Sequence, residues 1–286
     1  NQSATLGETL KSVPGVNSTY FGPVASSPII RGLGGPRVKV LQNGMDSSDA
    51  SRVGPDHIAT TETSTATQIE VLRGPSTLLY GSGANGGVVN VVDNRLPKTR
   101  QEGLSGRVSA LHDIVSNERT ISTDLNSGKD NFAWHLDAYS RKTDDYDVPE
   151  FTLDDGDVVD TLENSDIDSQ GFTIGAGWIG DDVSLSFAYG RLETDYGIPG
   201  HAHGDHEEEE EHHDDEEHTE EEHDEEEPVF ARMQQDRFQS IVDWKNLTGW
   251  FTEAHWHNAY TDYQHSEIEE GEIGTTFEND SLESRL

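Results

Sequence analysis

The chain has 286 residues, with 56 Asp and Glu against 19 Lys and Arg, which gives a formal net charge of -37. A chain this acidic repels nucleic-acid phosphates, and no basic patch offsets that repulsion, so nucleic-acid binding is excluded. The absence of cysteine excludes disulfides, thiolate metal sites, iron–sulfur clusters and cysteine catalysis. No apolar stretch approaches the roughly 18 residues of a transmembrane helix.

Residues 1–98 are predicted to form a small globular α/β domain. The region is rich in Gly, Pro, Ser and Thr and contains short β-branched runs at 38–41 and 88–92. Turn-forming pairs lie between these runs, AsnGly at 43–44 and GlyPro at 74–75. Short β-branched runs separated by such turns are typical of the strands of a compact domain.

From residue 99 onward the sequence predicts antiparallel β-strands. Apolar and polar residues alternate, as where Val183, Leu185 and Phe187 are separated by small or polar residues. This period of two is that of a strand with one apolar and one polar face. Seven segments and the start of an eighth are expected at 104–114, 118–126, 130–143, 169–180, 182–196, 234–247, 250–265 and from Thr276. Their lengths suit membrane-crossing strands, which need roughly 9 to 11 residues.

The connections between these segments favour a barrel. Short turns are expected at 126–130, 180–182 and 246–249, whereas the connections at 144–168 and 197–233 are long and acidic. Transmembrane barrels have short periplasmic turns and long extracellular loops, and a soluble β-sandwich does not sort its loops in this way. The predicted fold class is therefore mostly β, with a globular α/β domain followed by the antiparallel transmembrane strands of a truncated barrel.

The second long connection contains an acidic, histidine-rich segment at 201–228. It holds 17 acidic residues and seven of the 13 histidines, but no basic residue. Such a charge run repels itself and predicts a loosely ordered loop. Imidazole and carboxylate are the strong zinc ligands open to a chain without cysteine, and other divalent metals also use them. The candidate ligands of this segment are His201, His203, His206, His212, His213, His218 and His223. A solvated loop without a defined site is the alternative, and the interleaved histidines favour metal capture.

Three motifs resemble the plug domain of TonB-dependent outer-membrane receptors. They are LKSVPGV at 10–16, IIRGLGGPRVKVLQNGM at 29–45 and IEVLRGPSTLLYGSGANGGVVNVV at 69–92. The resemblance implies a transport receptor of the outer membrane rather than an enzyme, with a plug at 1–98 and the amino-terminal part of a barrel of roughly 22 strands at 99–286. It also implies outer-membrane lipid and the TonB energy-coupling complex as partners, although the TonB box that precedes the plug in this family is not in the sequence.

Within this family, three further motifs are most similar to zinc-uptake receptors of the ZnuD type. They are GPDH at 54–57, YGIPGHAH at 196–203 and DYQHSE at 262–267. The resemblance implies that His57 of the plug binds zinc together with His265 and a carboxylate of the barrel wall, Glu267 or Glu269. Zinc is then the transported ligand, captured first by the histidine-rich loop.

Two other functions stay open from the sequence. One is a receptor for a metal chelate, either a siderophore or haem, although an acidic loop repels the haem propionates. The other is a surface protein that only sequesters zinc, which has no use for a plug. His255 and His257 fall on the lumen-facing side of their strand and are interpreted as ordinary polar lining.

Overall fold

The computed structural model describes residues 3, 5–54, 57–152, 156, 158–199, 228–269 and 271–286. Within these ranges the chain forms an amino-terminal domain followed by one large antiparallel sheet, as the fold class predicted. In the described part of the chain no helix is long and apolar enough to cross a membrane.

The amino-terminal domain is built on a four-stranded mixed sheet. Its elements are α1 (Leu6–Leu10), β1 (Val16–Ser18), β2 (Pro28–Ile30), β3 (Val38–Gln42), β4 (Met45–Asp46), β5 (Gln68–Leu72) and β6 (Gly87–Val92), with 3₁₀ turns at Gly35–Arg37, Ser51–Val53 and Pro75–Tyr80. The strand order is β4-β3-β6-β5, with β3 and β6 parallel, while β1 and β2 form a separate antiparallel pair. The β-branched runs of β3 and β6 supply much of the core, packed against Leu6 and Leu10 of α1.

The large sheet has eight strands in the order β16-β15-β14-β13-β12-β9-β8-β7. Its strands are β7 (Gly103–His112), β8 (Arg119–Lys129), β9 (Phe132–Lys142), β12 (Ile167–Ile179), β13 (Val183–Gly197), β14 (Phe230–Trp244), β15 (Ala254–Glu269) and β16 (Glu272–Arg285). Sequence neighbours pair throughout, so the sheet is a meander whose one interruption within the described residues lies between β9 and β12. That interruption is a hairpin of β10 (Tyr146–Thr152) and β11 (Val158–Leu162).

Three sequence predictions differ from this architecture. The turn predicted at 126–130 lies mostly within β8, because 126–129 still pair with β9, and the tight turn falls just before Phe132. The connection expected at 144–168 is shorter, because β12 begins at Ile167, and it contains the β10–β11 hairpin, in which short apolar stretches pair with each other. The seventh segment begins at Ala254, not at Trp250, which lies fully exposed in the preceding turn. The start of an eighth segment near Thr276 corresponds to β16.

The two faces of the large sheet differ as the period of two requires. On β12, Phe172, Ile174 and Trp178 face away from the amino-terminal domain and are 40%, 48% and 49% exposed. Ser169 and Thr173 of the same strand face that domain and are buried. An apolar outer face and a polar inner face are the arrangement of a barrel wall in lipid.

Aromatic residues mark both borders of the apolar outer face. All five tryptophans of the chain lie at the tight-turn end of the strands: Trp134, Trp178, Trp244, Trp250 and Trp256. Farther along the strands, four adjacent aromatic residues form a row across the sheet: Phe172, Tyr189, Phe238 and Tyr260. Tyrosine and tryptophan are enriched where apolar and aqueous phases meet, so these two rows delimit the apolar band.

The linker between the two domains, around Arg95 and Pro97, lies against glycines of the large sheet, where the absence of side chains leaves a groove. A Cβ atom at Gly175 would overlap the carbonyl oxygen of Arg95, and one at Gly177 would lie 2.9 Å from the carbonyl oxygen of Pro97. The hydroxyl of Ser186 donates to the same Pro97 oxygen. These glycines let the linker backbone lie directly against the wall.

Candidate metal site between the two domains

The segment after β4 carries His57 toward the large sheet. Asp49 organises this segment, because its carboxylate accepts hydrogen bonds from the Ser51 amide at 3.1 Å and the Thr60 amide at 3.3 Å. Burial raises the pKa of the Asp49 carboxyl above its usual value. The following 3₁₀ turn places the Ser51 carbonyl where the imidazole of His57 reaches it.

His57 is 6% exposed, and both of its ring nitrogens face oxygen atoms. Nδ1 lies 2.8 Å from the Ser51 carbonyl oxygen, and Nε2 lies 2.8 Å from Oε1 of Glu267 in β15. A carbonyl oxygen only accepts, so Nδ1 carries a proton and donates to Ser51. Nε2 is directed at the wall carboxylate, and the hydrogen bond between them needs a proton on Nε2 or on Oε1 of Glu267.

The wall side of the site comes from alternate residues of β15. Tyr263, His265 and Glu267 are two residues apart, so their side chains project from the same face of the strand toward the amino-terminal domain. His265 is fully buried, and its ring centroid lies 4.6 Å from that of His57. Phe277 of β16 packs against both imidazoles, at 5.3 and 5.9 Å between centroids, and excludes water from that side.

His57 and Glu267 are joined by a direct hydrogen bond, which leaves no space for a cation between them. Among the described residues, no three His, Asp or Glu side chains are placed so that they could share a metal ion. Tetrahedral zinc with ligands near 2.0 Å needs about 3.3 Å between a nitrogen and an oxygen ligand. The His57–Glu267 separation of 2.8 Å is shorter.

Two buried tyrosines hold this cluster, and the sequence reasoning did not identify them. The Tyr263 hydroxyl donates to Ser51 Oγ at 2.8 Å, and the Tyr196 hydroxyl lies 3.2 Å from His265 Nε2. Ile58, next to His57, donates its amide to the Tyr196 hydroxyl at 3.3 Å. The position of Tyr263 two residues before His265 was the available sequence signal for a shared face.

The two ends of the histidine-rich connection meet directly beside this cluster. The Ile198 amide donates to the Val229 carbonyl at 3.0 Å. The side-chain amide of Asn164 donates to the Ile198 carbonyl at 3.1 Å and to the Val229 carbonyl at 2.7 Å. Both ends are buried in an apolar cluster that includes Tyr196 and is packed against Ile58. The seven histidines predicted as ligands, His201, His203, His206, His212, His213, His218 and His223, lie outside the described residues.

The remaining predicted residues fall at different places. Glu269 lies at the hairpin end of β15, opposite Glu272 and beyond a register shift, so Glu267 is the wall carboxylate that contacts His57. His255 lies near the opposite end of β15, where Nδ1 is 2.8 Å from Asp243, and does not reach this cluster.

Further polar contacts seat the amino-terminal domain against the wall. Arg237 of β14 donates to the Asp46 carbonyl at 2.6 Å, and Asn279 of β16 donates to the Ser48 carbonyl at 2.8 Å. On the other side, Arg141 of β9 forms an ion pair with Glu62 at 3.0 Å. The candidate cluster therefore lies within a broader set of interdomain contacts that fix its two halves relative to each other.

Comparison with known proteins identifies the amino-terminal domain. The family model described as TonB-dependent Receptor Plug Domain matches residues 1–88. The match covers nearly all of the amino-terminal domain, which is therefore similar to a TonB-dependent receptor plug. Receptors with this plug are transport proteins of the Gram-negative outer membrane, so the outer-membrane location predicted from the sequence is confirmed.

Solved receptor structures share the fold of the whole chain. A ferric enterobactin receptor mutant (PfeA) from Pseudomonas aeruginosa has a TM-score of 0.69 at 18% identity, with 99% of this chain and 44% of that chain covered. The FrpB iron transporter from Neisseria meningitidis has a TM-score of 0.71 at 15% identity, with 99% of this chain and 43% of that chain covered. The copper transporter OprC has a TM-score of 0.68 at 17% identity, with 91% of this chain and 35% of that chain covered. The chain thus spans less than half the length of these structures, and its large sheet corresponds to part of their barrel.

Proposed function

We propose that the chain is the plug and part of the barrel of an outer-membrane receptor that takes up zinc ions. The observation that carries this proposal is the meeting of His57 of the plug with Glu267 of the barrel wall at 2.8 Å, beside His265. Two imidazoles and a carboxylate are ligands that zinc accepts readily, and water would supply the fourth ligand.

A site shared between two domains suits a transporter. Zinc bound by His57 and by the wall residues holds the plug in place, and movement of the plug separates the ligands and releases the ion. The family to which the plug belongs implies that the TonB complex supplies the energy for that movement. No covalent chemistry is required of the receptor.

The histidine-rich loop has a separate role in this proposal. Its 17 carboxylates and seven imidazoles raise the local concentration of divalent cations outside the membrane. Because Ile198 and Val229 fix its two ends beside His265 and His57, captured ions are delivered where the plug–wall site lies.

The buried cluster disfavours the chelate alternative at this position. His57 and His265 are 6% and 0% exposed and are covered by Phe277, which leaves no room for a porphyrin or siderophore between them. A separate space of about 370 Å³ lies between α1 and the strands β7–β9, lined by many serine and threonine hydroxyls. Binding of haem or a ferric siderophore there is the outcome that would favour a chelate receptor.

The test is a zinc titration of the purified full-length receptor against a competing chelator. His57→Ala and Glu267→Gln are expected to weaken the tightest zinc site by more than roughly 100-fold, beyond the loss caused by removing an outer-shell partner. His112→Ala is the matched control, because His112 lies exposed at the end of β7. Unchanged zinc affinity in His57→Ala, or tight binding of haem or a ferric siderophore in place of zinc, would overturn the proposal.

A further inference from the structure

The hydroxyl of Tyr196 touches both halves of the candidate zinc site. Tyr196 lies near the end of β13 and is 1% exposed. Its oxygen accepts the Ile58 amide of the plug at 3.3 Å and lies 3.2 Å from Nε2 of His265 in the wall. One hydroxyl therefore contacts the residue that follows His57 and the ring of His265.

The directions of these hydrogen bonds follow from the groups involved. A backbone amide only donates, so the Tyr196 oxygen acts as acceptor toward Ile58 and its own proton points elsewhere. The His265 Nε2 atom lies within reach of that proton. Donation to Nε2 leaves the ring proton of neutral His265 on Nδ1 and fixes the rotation of the ring.

We propose that Tyr196 is a positioning residue of the plug–wall metal site, which sets the ring orientation of His265, and its tautomer in the metal-free receptor, and aligns the ring with the plug beside His57. This inference rests on the proposed function. Binding of a metal at Nδ1 would displace the ring proton from Nδ1 to Nε2, and the Tyr196 hydroxyl can then accept a hydrogen bond from Nε2, so the same contact would hold the ring in both states. Outer partners of this kind orient histidine ligands in many metal sites.

The test replaces only this hydroxyl, with Tyr196→Phe in the full-length receptor. Tyr189→Phe is the matched control, because Tyr189 lies on the same strand, faces outward and donates its hydroxyl to Asp236 at 2.5 Å. Zinc affinity is expected to fall roughly 10- to 100-fold in Tyr196→Phe and to stay at the wild-type value in Tyr189→Phe. X-ray absorption at the zinc edge is expected to show one imidazole fewer around zinc in Tyr196→Phe.

A measurement without metal separates this inference from the proposed function. Nitrogen-15 NMR of histidine-labelled, metal-free receptor is expected to show the His265 signal, assigned by its loss in His265→Gln, as the tautomer protonated on Nδ1. In Tyr196→Phe this signal is expected to shift toward the other tautomer. If Tyr196→Phe leaves the tautomer, the affinity and the imidazole count unchanged while His57→Ala still abolishes binding, the positioning role is wrong and the zinc site stands. If the wild type binds no zinc, the proposed function fails, and the tautomer alone decides whether Tyr196 orients His265.

Discussion

His57 and Glu267 are separated by 210 residues in the chain, and their side chains meet at 2.8 Å across the boundary between the plug and the barrel wall. One partner belongs to each domain, so the contact exists only while the plug lies against the barrel wall, a position called the seated state below. Any ligand that binds both residues must therefore stabilise the seated plug, and any force that withdraws the plug must weaken the binding of that ligand.

Zinc is expected to protect the plug from local opening. At a free zinc concentration 100 times the dissociation constant, mass action adds about 2.7 kcal/mol to the seated state. Hydrogen exchange of the backbone amides at 46–60 should then slow by roughly 100-fold in the full-length receptor. Glu267→Gln should lose most of this protection, and equal protection in this variant would show that zinc acts elsewhere.

Removal of the histidine-rich loop is expected to separate capture from binding. The Ile198–Val229 hydrogen bond already closes the base of the loop, so a short Gly–Ser turn can replace 201–228. The number of weakly bound zinc ions should fall, while the tightest site keeps its affinity within about threefold, a difference well under 1 kcal/mol. Calorimetry of the two receptors measures both quantities. Loss of the tightest site on this replacement would place that site in the loop itself.

The topology predicts which turns reach the cell surface. The chain has no cysteine, so a single introduced cysteine reports one position. Glu150→Cys in the β10–β11 hairpin should react with a membrane-impermeant maleimide on intact cells, whereas Thr248→Cys in the turn before β15 should react only after the outer membrane is opened. The opposite labelling pattern would invert the orientation.

The glycine groove of the wall is expected to be sensitive to a single methyl group. Gly175→Ala places a Cβ onto the Arg95 carbonyl oxygen, so the linker must move and the plug should seat less firmly. Faster hydrogen exchange across the plug, without loss of the folded barrel, is the expected result. Ala176→Val is the control, because residue 176 projects from the opposite face of β12. Equal exchange rates in both variants would show that the groove does not hold the linker.

The strands and the halves of the candidate site were accessible from the sequence for different reasons. Alternation with a period of two locates β-strands directly, because lipid and lumen impose opposite demands on the two faces. His265 and Glu267 share a face by that same rule. The assignment of His57 to them depended on the family resemblance, since nothing local in GPDH predicts a contact 210 residues away. The structure shows the contact, and the binding of zinc stays a prediction.

Other features were not accessible from the sequence for physical reasons. Tyr196 resembles any strand tyrosine until the fold places Ile58 and His265 on either side of its hydroxyl. The linker groove at Gly175 depends on a close approach between chain segments 80 residues apart, which no local pattern encodes. The β10–β11 hairpin was hidden because acidic residues dominate its connection.

Anomalous diffraction at the zinc absorption edge, from zinc-soaked crystals of the full-length receptor, tests the central claim most directly. We predict an anomalous peak within about 2.1 Å of His57 Nε2, a ring nitrogen of His265 and a carboxylate oxygen of Glu267, and we predict its loss in His57→Ala crystals. Zinc peaks confined to the histidine-rich loop, or no peak between plug and wall, would contradict the account.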